Sequence, residues 1–293
     1  MVDEHRQPEE RIMTTAVTGA TGHLGALVVD GLIERGTAAG DIVAVVRDAA
    51  KAQSLADRGV QVRVADYTDT DALKAALAGV DKLLLVSGSD VGRRIAQHEN
   101  VIGAAEAAGV SLIAYTSLLK ADTSGLSLAP EHLATENRLA ESSIPTVVLR
   151  NGWYWENYLG ALQQAADSGV LLGAAGEGKL AAASRADFAA AAVEVLLAAD
   201  QGGKVYELGG DERLTYAELA AVFTQVSGKP VEYKNVSEDE YKGVLEGAGL
   251  PGFVAEMLSS ADAGIARGEL DTDSGDLQKL IGRASTPVAS VLG

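Results

Sequence analysis

The sequence predicts an α/β protein, a Rossmann-type doubly wound parallel sheet with a smaller mixed α/β C-terminal region. Three observations predict it. Short apolar runs alternate with amphipathic helical stretches through the first half of the 293 residues, which is the pattern of successive β–α units. Several runs are apolar at nearly every position, as in parallel strands buried on both faces. A glycine-rich turn, "TGATGHLG", follows the first run directly and opens the first helical stretch.

Taken in order, the chain starts with "MVDEHRQPEER", which is charged and polar. Residues 1–12 read as a loose tail, with the fold starting at Met13. The strand candidates are Thr15–Thr18, Ile42–Arg47, Val60–Ala65, Lys82–Val86, Leu112–Thr116 and Thr146–Leu149. Helical stretches fall between them at Leu24–Arg35, Thr70–Ala78, Gly92–Ala108 and Ala129–Ser142. After Trp153 the rhythm changes. A helix is expected at Glu156–Ala166, then a short strand "VLL", a glycine-rich loop "GAAGEGK", an Ala-rich helix from Asp187 and a strand "VYEL". Thr215 with Glu218, and Ser237 with Glu240, have the spacing of helix capping boxes. We therefore expect a first domain of residues 13–153 and a smaller region of residues 154–293, with residues 186–208 returning to the main sheet.

Composition excludes several functions. The net charge of −17 argues against nucleic acid and anionic membrane as partners, since both require a cationic face. With no cysteine, thiolate catalysis, disulfides and Fe–S clusters are ruled out. His5, His23, His98 and His132 show no metal-ligand spacing. No apolar run reaches the roughly 20 residues that span a bilayer, and the N-terminus lacks the pattern of a signal peptide. A soluble, cytoplasmic protein is expected.

The glycines carry the strongest chemical signal. Gly19, Gly22 and Gly25 sit where a strand turns into a helix. There glycine permits the tight turn, backbone approach to a pyrophosphate, and close packing of helix on sheet. The helix start adds free N–H groups and a positive dipole end. At the end of the second strand, where an NAD site usually has a carboxylate, stands Arg47, followed by Asp48 and Lys51. A guanidinium there suits a 2′-phosphate, so NADPH is favoured and NADH stands as the weaker cofactor. An exposed Arg47 without a ligand is the plainer alternative. Asp66 ends the third strand, and Ser87 and Gly88 end the fourth. All three fit either cofactor contact or ordinary turn chemistry. "GAAGEGKL" has P-loop spacing, but Leu180 replaces the Mg²⁺-binding hydroxyl. It reads as a mobile loop bordering a pocket, or as a surface turn.

"TGATGHLG", "AVVRD", "AYTSLL", "ADTSGLSLAPEH", "RNGWYWENY" and "GAAGEGK" in this order resemble the NmrA-like atypical short-chain dehydrogenases/reductases. Within them the chain is most similar to the quinone oxidoreductase type 2 and triphenylmethane reductase branch. The resemblance implies a cytoplasmic, monomeric or homodimeric reductase that uses NADPH on quinones or conjugated dyes. It implies that Gly19, Ala20, Thr21, Gly22, His23 and Leu24 cradle the pyrophosphate and that Arg47 faces the 2′-phosphate. Ser87 and the residues after it would line the cofactor cleft, and Asn151, Gly152, Trp153 and Tyr154 would approach the nicotinamide, with Glu156 and Asn157 nearby. Ser117 falls where the wider superfamily has its catalytic serine. His132 and Glu136 stand where the wider superfamily has Tyr and Lys. Trp155 is a departure, bulky enough to narrow the pocket. Ser117, His132, Tyr154 and Asn157 are the catalytic candidates.

The vacancy at the Tyr and Lys positions has a chemical meaning. Hydride addition to a simple ketone makes an alkoxide that needs a proton donor. A Tyr beside a Lys meets that need because the cation lowers the phenol pKa, which Glu136 could not do. A quinone yields an anion spread over an aromatic ring, and a triarylmethane cation needs no proton at all. The expected acceptor is therefore quinone-like, with no flavin or metal. His132 stands either as a proton donor or as a residue that caps or orients its helix, with Glu136 facing solvent. Trp153, Tyr154 and Tyr158 either stack on a flat acceptor or pack between the two regions. Two further readings remain: a non-catalytic NADP(H)-sensing regulatory protein, and a reductase of another activated acceptor such as a triarylmethane dye, an enone or an imine.

Overall fold

The computed structural model describes residues 13–293, so the expected tail over residues 1–12 lies outside the described residues. Seven strands, β1 (Thr15–Thr18), β2 (Ile42–Val46), β3 (Gln61–Val64), β4 (Lys82–Leu85), β5 (Leu112–Leu118), β6 (Thr146–Asn151) and β8 (Val205–Leu208), form the main sheet. β7 (Val170–Gly173) pairs with β9 (Glu232–Asn235) in a separate two-stranded sheet. The seven strands are all parallel and run in the order β3-β2-β1-β4-β5-β6-β8. The order reverses between β1 and β4. Doubly wound sheets bind ligands in the crevice beyond such a switch point.

Continuous apolar sequence becomes double-sided burial here. β1, β2 and β5 are buried at every position, whereas β3, at the sheet edge, is partly exposed. One face of the sheet packs on the helices His23–Glu34 and Arg185–Leu197, with Leu32 and Phe188 in the cluster. The other face buries Leu73, Leu77, Val101 and Leu139 from the helices Thr70–Leu77, Arg94–Ala108 and Ala129–Ala140. Each fully buried side chain of this size contributes roughly 1.5–3 kcal/mol. A third cluster, containing Trp155, Tyr216 and Phe223, packs the C-terminal elements together and against Leu118, Leu119 and Leu126.

The expected elements recur with instructive shifts. β5 and β6 each run two residues further than expected, because Ser117 pairs with Arg150 and Leu118 with Asn151. Polar side chains thus enter the sheet at its C-terminal end. The helix expected from Glu156 is a 3-10 turn, Trp155–Tyr158, followed by a helix Leu159–Ser168 that ends at left-handed Gly169. Thr215 and Glu218 form a complete capping box, while Ser237 caps its helix by accepting from the Glu240 N–H. The strand β9, "EYKN", is polar and mostly exposed, so it carries no apolar alternation to reveal it. No helix among the described residues is long and apolar enough to cross a membrane.

Candidate active site

The C-terminal ends of β1, β2, β4, β5 and β6 bring the singled-out residues along one edge of the sheet. The Gly19 backbone is left-handed at φ +58°, and the Gly22 N–H donates to Gly19 O at 2.8 Å. A Cβ on Gly25 would lie 2.3 Å from that same oxygen, so the helix His23–Glu34 can start this close only with glycine there. No side chain caps that helix start. Its free N–H groups and dipole are open to an anion. A cleft of about 390 Å³ lies between the Thr21–His23 turn and the side chains of Glu156 and Arg185. Ala20 and Leu24 have their side chains in the core, which leaves them backbone contacts alone.

Arg47 is exposed and makes no hydrogen bond or ion pair among the described residues. Asp48, its neighbour, is engaged as a cap and accepts from the Ala50 N–H at 2.9 Å. Asp66 accepts from both the hydroxyl and the N–H of Thr68. Those bonds, joined by the charge of Arg47, hold its carboxyl below the ordinary range. At the end of β4 the Ser87 N–H donates to Thr116 Oγ1 at 2.9 Å, and the Gly88 N–H donates to His98 Nε2 at 3.0 Å.

Ser117 lies near the end of β5, 5 % exposed, and its hydroxyl donates to Glu136 Oε1 at 2.5 Å. Arg150, beside it on β6, donates to the same carboxylate from Nε at 3.0 Å and from Nη2 at 2.6 Å. The remaining arm of Arg150 reaches Glu207 at 2.8 Å and Asp122 at 3.0 Å. Burial opposes the charge of Arg150, but its carboxylate partners outweigh burial and hold the guanidinium well above its ordinary pKa. Glu136 therefore does not face solvent, as one reading of the sequence had it. Register explains this, because Ser117, Arg150 and Glu207 form one cross-strand row.

His132 is buried, with Nδ1 2.8 Å from the Tyr115 hydroxyl and Nε2 3.5 Å from Arg94 Nη1. Burial first, then the charge of Arg94, pulls its pKa down to about 3. It is a neutral ring near neutral pH, so it carries no spare proton. At the end of β6, Asn151 is buried with its Oδ1 unpartnered. A Cβ on Gly152 would meet Leu208 O at 3.0 Å. Trp153 packs into the C-terminal cluster.

Trp155, expected to narrow the pocket, is instead 1 % exposed inside that cluster. Its turn packs against the helices Leu159–Ser168 and Val288–Leu292. Tyr158 is likewise enclosed, with its hydroxyl 2.9 Å from that of Tyr216. Tyr154 remains partly exposed, and Arg185 lies over its ring at 4.9 Å. Arg185 also donates to Asn157 Oδ1 at 2.7 Å. The stretch from Gly173 to Leu180 is packed rather than loose: Ala174 and Ala175 are buried, and the Gly176 N–H donates to Asn235. Arg150, Glu207, Arg94 and Arg185 were not singled out from sequence. A charge ending an apolar strand, as in "TVVLR", was the one available signal.

Fold and site together define a dinucleotide-binding α/β protein of the NmrA-like family, to which the chain belongs: the family model matches residues 12–271. It is 54% identical to quinone oxidoreductase 2 of Escherichia coli (strain K12), over 94% of this chain and 96% of that protein. Among solved structures, it is similar to an Escherichia coli NADPH-dependent quinone oxidoreductase complexed with NADPH, with a TM-score of 0.93 and 53% identity over 95% of this chain and 98% of that one. It is also similar to the Citrobacter sp. triphenylmethane reductase complexed with NADP(H), with a TM-score of 0.91 and 41% identity over 95% and 99%.

Proposed function

We propose that the chain is an NADPH-dependent oxidoreductase that reduces quinones or similar conjugated acceptors by direct hydride transfer, without flavin or metal. The observation that carries this reading is the state of the Ser117 hydroxyl. Its proton is directed at Glu136, and Arg150 donates twice to the same carboxylate. His132, on the same helix, is a buried neutral ring. None of these groups is arranged to give a proton to a nascent alkoxide. Acceptors that spread or neutralise the incoming electron pair do not require one.

The residues present fit NADPH. The uncapped helix start and the Gly19–Gly25 turn suit its pyrophosphate, and the free guanidinium of Arg47 suits its 2′-phosphate. When bound, NADPH supplies the hydride. The protein contributes placement, with backbone and side chains holding the two reactants in line within a cleft. Asn151 at the end of β6 and Gly152, Trp153 and Tyr154 after it are the residues that would approach the nicotinamide, with Asn157 held nearby by Arg185. Residues 13–153 would serve the cofactor and residues 154–293 the acceptor side, although Leu118, Leu126 and Ala129 pack into the same cluster as the C-terminal elements and Phe188 and Leu277 pack into the core of the main sheet. A cytoplasmic monomer or homodimer acting on small molecules belongs to the same reading, and the charge of −17 supports a well-solvated surface.

The test is protein-dependent NADPH oxidation with 1,4-benzoquinone, corrected for the direct chemical reaction. Steady turnover supports the proposal. NADPH binding without turnover on any of several quinones would replace it with a nucleotide sensor.

A further inference from the structure

We propose that Arg94 and His98 are positioning residues that set the peptide planes of the Ser87–Ser89 turn, so that it offers one carbonyl and one N–H to the ribose hydroxyls of a bound dinucleotide. This rests on the dinucleotide reading above and adds two residues that touch neither cofactor nor acceptor.

Both side chains come from the helix Arg94–Ala108, and both are buried, His98 completely. Burying a guanidinium and an imidazole costs several kcal/mol unless their bonds are satisfied. Here the bonds converge on one residue. The Gly88 N–H donates to His98 Nε2 at 3.0 Å, and Arg94 Nε donates to Gly88 O at 2.6 Å. Gly88 thus has both of its backbone polar groups held by side chains of one helix.

The hydrogen bonds fix the His98 tautomer. Nε2 accepts from an N–H, so the ring proton is on Nδ1, which donates to Thr135 Oγ1 at 2.9 Å. The Thr135 hydroxyl in turn donates to Glu131 O at 2.9 Å. Burial and the nearby charge of Arg94 keep the ring neutral, with its pKa drawn down to about 4. The ring edges of Tyr67 and Tyr115 enclose it. The acceptor at Nε2 is therefore present throughout the neutral range.

Planarity carries the constraint to the other side of the turn. The described residues contain no cis peptide, so each C=O points opposite to the N–H of its own peptide unit. With the Gly88 N–H aimed at the helix, the Ser87 carbonyl points away from it. With the Gly88 carbonyl aimed at Arg94, the Ser89 N–H points away as well. An acceptor and a donor are thus presented on the face of the turn opposite the helix. The Gly19 turn is the neighbour on the sheet, where a Cβ on Gly19 would lie 3.7 Å from Val86 Cβ. A vicinal diol can donate to the first group and accept from the second. A Cβ on Gly88 would lie 3.2 Å from Gln97 Oε1, so a larger residue there requires the Gln97 side chain to shift by a few tenths of an ångström.

The test titrates NADPH fluorescence with purified wild type, His98→Leu, His98→Asn and His98→Gln, each checked by thermal melting. The glutamine amide oxygen reaches the place of Nε2, whereas asparagine keeps the Thr135 partner and drops Gly88. Leu and Asn are expected to weaken NADPH binding about 5- to 10-fold, the effect of one lost hydrogen bond that orients a ligand contact. The loss should fall on KM for NADPH more than on kcat, and Gln should restore binding to within about twofold of wild type. If the leucine variant does not fold, the asparagine variant decides. Wild-type affinity in the Leu and Asn variants, or a Gln variant as weak as Asn, overturns the positioning role while leaving the dinucleotide reading in place. A wild type that binds no NADPH removes both.

Discussion

Ser117 and Glu136 share a hydrogen bond of 2.5 Å in which the serine is the donor. Glu136 also receives two bonds from Arg150, so every hydrogen around this carboxylate points at it. A serine that gives its proton away to a fixed acceptor is a poor acid toward substrate.

Replacing that serine should therefore matter little for quinones. Ser117→Ala is expected to lower kcat with 1,4-benzoquinone by less than about tenfold, below the 10²–10⁴ typical of losing a general acid. Steady-state kinetics at saturating NADPH decides it.

Removing the carboxylate should cost stability first. Glu136→Gln leaves Arg150 short of one partner, though Glu207 and Asp122 remain. A loss of about 2 kcal/mol is expected, below the 3–5 kcal/mol of a fully orphaned buried charge. Urea unfolding of the variant against wild type measures it.

Arg47→Ala should separate the two nicotinamide cofactors. With the free guanidinium gone, KM for NADPH is expected to rise roughly 10- to 100-fold, the loss of a charge-assisted bidentate contact, while KM for NADH changes by less than about threefold. Equal effects on both cofactors would remove Arg47 from the 2′-phosphate site.

The buried histidines make a pH prediction of definite sign. The pKa of His132 falls to about 3 from 6.5 on folding, so the unfolded chain binds more protons between those values. Its contribution is complete above about pH 6.5 and is lost as pH falls toward 3, amounting to roughly 2 kcal/mol by pH 5. Asp262 runs the other way. Burial raises its carboxyl to about 7 from 3.8, so its contribution is full below about pH 3.8 and lost as pH rises toward 7. A raw stability curve mixes these two with His98, whose pKa is drawn down to about 4. Subtracting the curve of His132→Gln from that of wild type isolates the histidine, and the difference should shrink steadily from pH 7 to pH 4.

How far the sequence revealed this molecule depended on range. β1 was legible to the residue, and the glycine turn with it, because both are set by neighbours in the chain and by apolar continuity. The ends of β5 and β6 were not. Ser117 and Arg150 enter the sheet through pairing between strands, and Glu207 joins them from 57 residues further on. Register of that kind leaves no local trace. The same holds for Trp155, whose aromatic neighbourhood in "GWYWENY" suggests a pocket wall. Its turn packs against the helix Leu159–Ser168 and against Val288–Leu292, which arrives much later in the chain. The histidines were visible as residue types, but their neutrality comes from burial against Arg94, a residue that reads in sequence as a surface charge.

The most direct test of direct hydride transfer uses NADPH dideuterated at C4 with a cationic triarylmethane dye, where the transferred atom ends in a stable C–H bond. Direct transfer gives a leuco product carrying one deuterium from the cofactor, at a rate that needs no proton and stays flat from pH 6 to pH 8. A leuco product free of deuterium, formed at the expense of NADPH, would contradict it.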